Sequence, residues 1–171
     1  LDVKTATGGL DMTSVTGAKI VSVNTNTGIA AQLTNIAPAT APVIELKGSG
    51  VLTANFTTFA GTTAAGTAES ASFKLNGATV SGANVAGLTL TATAAGTLET
   101  LNIESAGSVK NTVALTSANV IAKAVVTGGA DLEVRSTAGT LNGVELVGSG
   151  HTGVLTVNAD FDGGAAVVGL N

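Results

Sequence analysis

Apolar and polar residues alternate along much of this chain. Leu88-Thr89-Leu90-Thr91, Leu101-Asn102-Ile103, Val113-Ala114-Leu115, Leu132-Glu133-Val134, Val144-Glu145-Leu146 and Leu155-Thr156-Val157 all follow a period of two. Such a period sends one set of side chains to an interior and puts Thr, Asn or Glu on the opposite face, the signature of a β-strand. Val and Thr, stiff at χ1, favour the same pleated conformation. Gly8-Gly9, Gly48-Ser49-Gly50, Asn76-Gly77, Gly128-Gly129, Asn142-Gly143 and Gly163-Gly164 punctuate these runs and read as turns. From Leu101 onward the strand centres are roughly 8 to 12 residues apart, a spacing typical of all-β architectures. No segment carries a 3.6-residue amphipathic stripe of helical length, so the sequence predicts an all-β protein.

Internal repetition narrows the architecture. Ile44-Glu45-Leu46-Lys47-Gly48-Ser49-Gly50 returns as Val144-Glu145-Leu146-Val147-Gly148-Ser149-Gly150. The first copy runs on into Val51-Leu52-Thr53-Ala54-Asn55; the second inserts His151-Thr152-Gly153 before Val154-Leu155-Thr156-Val157-Asn158. A shorter echo links residues 96–103 with 139–146. Strand-turn-strand modules reused along a chain bury a core between stacked neighbours. The prediction is an irregular parallel β-helix, or β-solenoid, because the repeat offsets share no single coil length; a β-sandwich of short antiparallel strands is the alternative. The segment 35–42, with Pro38 and Pro42, reads as a loop or extended edge, since proline lacks a ladder donor. Residues 61–70 form a second candidate insertion, and residues 1–171 are taken as one β-rich domain.

Composition then removes whole classes of function. The 171 residues are 44% hydrophobic and 11% charged, which separates the chain from solvated disordered sequences. Seven Lys and Arg against eleven Asp and Glu give a net charge of −4, with no basic run, so no nucleic-acid partner is expected. No apolar run reaches membrane-span length, and no membrane insertion is expected. With no Cys, there are no disulfides, thiolate metal sites or thiol nucleophiles. The chain opens Leu1-Asp2-Val3 without a charged-then-apolar leader, and reads as a piece of a longer protein whose export signal lies elsewhere.

Candidate chemistry is sparse. His151, the one histidine, follows Ser149 in a glycine-rich run; it could serve as a general base, but adjacency in a turn supplies no triad, and a surface turn residue is the favoured reading. Glu133 and Glu145 alternate with apolar neighbours and should face outward as solubilising charges. Asp160 and Asp162, before Gly163-Gly164, are the candidate calcium ligands, because hard Ca²⁺ seeks several oxygens and a flexible turn can add carbonyls. Phe56, Phe59, Phe73 and Phe161 are expected in the core, and with no Trp or Tyr there is no aromatic platform for sugars. No catalytic residues are assigned. A polysaccharide-active β-helical enzyme would require Asp131, Glu133 and Arg135 to cluster in a cleft.

Residues 96–157 resemble the RTX-type surface-layer (S-layer) proteins that Gram-negative bacteria export by type I secretion. The resemblance rests on Leu98-Glu99-Thr100-Leu101-Asn102-Ile103, Asn111-Thr112-Val113-Ala114-Leu115, Val126-Thr127-Gly128 leading to Leu132-Glu133-Val134, and Ser149-Gly150-His151-Thr152-Gly153 opening a further strand. It implies a secreted structural module at the cell surface, assembling with copies of itself into a calcium-dependent two-dimensional lattice, with cell-surface polysaccharide held by other parts of the chain. A stalk in a large RTX adhesin is the alternative it leaves. Val147 stands where the family often has Asp, and Gly163-Gly164-Ala165-Ala166-Val167-Val168 starts like a calcium nonapeptide but lacks its Asp. These departures point to a linking β-domain rather than a calcium roll.

Overall fold

The period-2 segments become strands that stack in parallel. A computed structural model describes residues 2–4, 9–25, 30–57, 69–81, 84–92, 98–117, 121–136, 144–158 and 167–168. In chain order the strands are β1 (Asp2–Lys4), β2 (Gly9–Asp11), β3 (Ile20–Thr25), β4 (Ala30–Ile36), β5 (Val43–Gly48), β6 (Val51–Phe56), β7 (Ser70–Ala78), β8 (Val80–Ser81) and β9 (Asn84–Val85). They continue as β10 (Gly87–Ala92), β11 (Thr100–Ala106), β12 (Asn111–Ser117), β13 (Lys123–Gly128), β14 (Leu132–Arg135), β15 (Glu145–His151), β16 (Leu155–Asn158) and β17 (Val167–Val168).

The chain shuttles between two sheets. One has eight strands in the order β1-β3-β5-β7-β11-β13-β15-β17; the other has seven, β16-β14-β12-β10-β6-β4-β2. Every pairing within them is parallel, and among the described residues antiparallel pairing is confined to the β8–β9 hairpin. This is the β-solenoid, and the parallel ladders exclude the antiparallel sandwich. At ordinary strand spacing the eight-stranded sheet is about 34 Å along the stack.

Inward positions meet their counterparts one coil away. In the eight-stranded sheet Ile44 aligns with Phe73, Phe73 with Ile103, and Ile103 with Val126. In the seven-stranded sheet Ala31, Leu52, Leu88 and Leu115 form one such column. These side chains belong to one buried cluster, and each full Leu, Ile or Phe burial contributes about 2–3 kcal/mol of transfer free energy. Phe56 and Phe73 are fully buried, as expected; Phe59 and Phe161 lie outside the described residues.

Unequal coil length explains the irregular repeat. Ile103 aligns with Val126, and Val134 with Val157, each 23 residues on; Leu52 aligns with Leu88, 36 residues on. The β8–β9 hairpin supplies part of the extra chain, and the described strands stay in phase across it. Both copies of the sequence repeat lie along the eight-stranded sheet, with Ile44, Leu46, Val144 and Leu146 buried. At two strand ends glycine is obligatory: Gly48 (φ +83°) and Gly128 (φ +98°) take left-handed backbone, and a Cβ at either would collide with the carbonyl oxygen of Thr25 or Ser105 in the neighbouring coil. Segment 35–42 ends β4 and turns through a short 3-10 helix at Pro38–Thr40.

Candidate functional site

The polar chemistry is concentrated at two outward carboxylates and at the corners where one sheet hands over to the other. On the seven-stranded sheet, Glu133 of β14 is 7% exposed. Its Oε1 accepts from Arg135 Nε at 2.7 Å and Asn158 Nδ2 at 3.2 Å, and its Oε2 accepts from Lys110 Nζ at 2.8 Å. The bond from Arg135, then that from Lys110, holds the Glu133 carboxyl at about 2, well below the usual range. Glu133 does face outward, but as a covered junction rather than a free solubilising charge.

A matching junction lies on the other sheet. Glu45 of β5 accepts from Ser22 Oγ (2.8 Å), Asn76 Nδ2 (2.8 Å) and Lys47 Nζ (3.1 Å). Burial is the largest single influence on this carboxyl and disfavours its charge, yet the bonds from Asn76, Ser22 and Lys47 together hold it below its ordinary value. Ser22 and Asn76 come from β3 and β7, on either side of β5; Lys110 and Asn158 come from the two coils flanking β14. Each glutamate therefore ties three successive coils. A sequence signal existed: Glu45-Leu46-Lys47 and Glu133-Val134-Arg135 place acid and base two apart, on one face of a strand. The second repeat copy has Val147 at that spacing, and Glu145 pairs across the sheet with Lys123 at 3.7 Å instead.

The corners carry buried polar side chains. Thr25 Oγ1 donates to the Lys47 carbonyl and accepts from Gly50 N–H, both at 3.0 Å. Asn111, fully buried at the start of β12, accepts through Oδ1 from Gly77 N–H (2.9 Å) and Ala78 N–H (3.0 Å). Its Nδ2 donates to Ser105 Oγ and the Ala106 carbonyl, both at 2.9 Å. That is the full capacity of a carboxamide met by both neighbouring chain segments. Asn111 shares the parity of Val113 and Leu115, a hint that it points inward.

His151 is corrected from a surface turn residue to a buried one. It ends β15 at 4% exposure, paired in register with Gly128. Its Nδ1 lies 3.3 Å from the Thr127 carbonyl, which can only accept, so Nδ1 carries the proton; Nε2 is buried with no partner. Ser149 is exposed and the imidazole makes no bond to it. Asp131 is engaged elsewhere, its Oδ1 accepting from Val154 N–H at 2.9 Å. It borders a recess of about 280 Å³ between the 107–110 and 129–131 turns. Glu133 and Arg135 pair with each other, and neither lines the recess that Asp131 borders, so the structure does not gather these three residues in that recess. A carboxyl held near 2 stays ionised at neutral pH and has no proton to give as a general acid.

Among the described residues no group of three or more His, Cys, Asp or Glu could hold a metal ion, and no helix is long and apolar enough to cross a membrane. Asp160 and Asp162 lie outside the described residues. No family model, no curated protein and no solved structure matches this chain.

Proposed function

We propose that this chain is a structural module of a secreted bacterial surface-layer protein, working by self-association at the cell surface rather than by catalysis. The observation that carries this reading is the parallel two-sheet stack itself, clamped across coils on both faces by Glu45 and Glu133. A stack tied in this way is a stiff spacer. Lys47, Lys74, Lys110, Lys123 and Arg135 are each paired with a glutamate on their own sheet, which spends much of the chain's sparse charge within its outer faces. Export by type I secretion and calcium-dependent assembly belong to the same proposal through the resemblance to RTX surface-layer proteins; Asp160 and Asp162 are its candidate calcium ligands by their spacing before Gly163-Gly164.

Electron microscopy of the purified chain with Ca²⁺ and after chelation tests it. Ordered sheets that dissolve on chelation are expected. Sheets indifferent to chelation would remove calcium from the proposal and keep self-assembly. Monodisperse particles in both conditions would overturn the lattice in favour of a stalk, the use to which a stiff stack is equally suited.

A further inference from the structure

At the opposite end of the stack from His151, the β2–β3 and β4–β5 connections, with Thr57 after β6, border a half-open cavity of about 480 Å³. That lies within the range of small-molecule sites. Its floor is apolar, with Met12 and Ile36 buried in the core and Val15, Ala18 and Ala41 packed against them. Thr16 and Thr40, both exposed, stand at its mouth. Among the described residues that line it, none has a charged side chain.

The backbone departs from regular geometry to form this space. The β4–β6 ladder shifts register between Leu33 and Ile36, a bulge. Within the bulge Asn35 adopts φ +56°, a left-handed conformation seen at no other non-glycine position among the described residues. It is held there by Asp11, whose Oδ1 accepts from Asn35 Nδ2 (3.1 Å), Thr13 N–H (3.0 Å) and Thr13 Oγ1 (2.7 Å). The carboxylate braces the wall through Oδ1 and is not itself among the described lining groups. Bulges and left-handed non-glycine residues collect at binding sites, where the surrounding structure sustains their cost. On the far side Thr57 N–H and Oγ1 both bond the Ile36 carbonyl, at 2.9 and 3.4 Å.

We propose that this cavity is a binding site for an uncharged aliphatic molecule bearing one hydroxyl or carbonyl group. The alkyl portion lies against Met12 and Ile36, and the polar group meets the hydroxyls of Thr16 and Thr40. An anionic ligand would lose hydration with no cation among the described lining residues to meet it, and with the Asp11 carboxylate behind Thr13 and Asn35. An aromatic base or sugar ring would find no aromatic face to stack on. The site is independent of the assembly role proposed above.

Met12 is the one methionine in the chain, so methyl-¹³C methionine labelling places a single resonance at the floor of the cavity. Titration with 1-octanol should shift that resonance saturably, and octanoate should bind at least tenfold more weakly. Thr40→Trp, on an exposed position, should block the mouth and weaken octanol at least tenfold; Ala41→Leu should do the same by filling the space. If Ala41→Leu loses the dispersed amide spectrum of the folded chain, Thr40→Trp alone decides. A shift that stays linear to the solubility limit of octanol, equal binding of octanoate, or undiminished binding to Thr40→Trp would overturn the proposal.

Discussion

Asn111 and His151 stand at corresponding corners of the stack, where a strand of the eight-stranded sheet gives way to one of the seven-stranded sheet. Both are buried. Asn111 meets four partners and leaves no polar atom unsatisfied; His151 makes one contact through Nδ1 and leaves Nε2 without one. Burial of a polar group is therefore not a uniform source of stability here. What matters is whether removing the side chain would orphan its neighbours, since unmade bonds in an interior cost more than the net gain of made ones.

The contrast can be broken most forcefully at Asn111. Replacing it with Ala strands the Gly77 and Ala78 N–H groups together with the Ala106 carbonyl, and should cost roughly 3–5 kcal/mol in urea unfolding. A loss below about 1 kcal/mol would mean that the corner is held by something else. Glu133 gives the intermediate case, because its donors are half-exposed and screened. Its folded carboxyl, near 2, lies below its ordinary 4.5, so the stabilisation is fully present above about 4.5 and is lost as pH falls toward 2. After screening this is worth about 1–2 kcal/mol. Acid unfolding of Glu133→Gln should show a correspondingly shallower pH slope than the parent chain. His151→Leu should change stability least, within about 1 kcal/mol, because the lost Thr127 contact is offset by removing an unsatisfied nitrogen. A large loss would show that Nε2 has a partner in solution.

The same residues show what was legible in the sequence. Period-2 runs located β10, β11, β12, β14, β15 and β16, and Gly48 and Gly128 marked corners where only glycine fits, because both signals are local. Glu133 could be placed on an outer face from Leu132 and Val134. Its partners could not be named, since Lys110 and Asn158 lie 23 and 25 residues away and coil length varies along the chain. His151 departs from the expected surface turn for a related reason. The β13–β15 ladder slips between Val125 and Thr127, so Val147 faces Val125 while Gly150 faces Thr127; that extra residue changes which side chains turn inward, and a glycine-rich run gives no sign of it. The outer-face clusters were written in acid–base spacing, and their depth of burial was not.

Because successive rungs align whether 23 or 36 residues separate them, the ladder counts strands and ignores the length of chain between them. New peptide can thus be spliced into a connection such as the β8–β9 excursion and projected sideways while the columns above and below keep step. A scaffold of this type can gain outward decorations one corner at a time, each leaving the interior it hangs from intact.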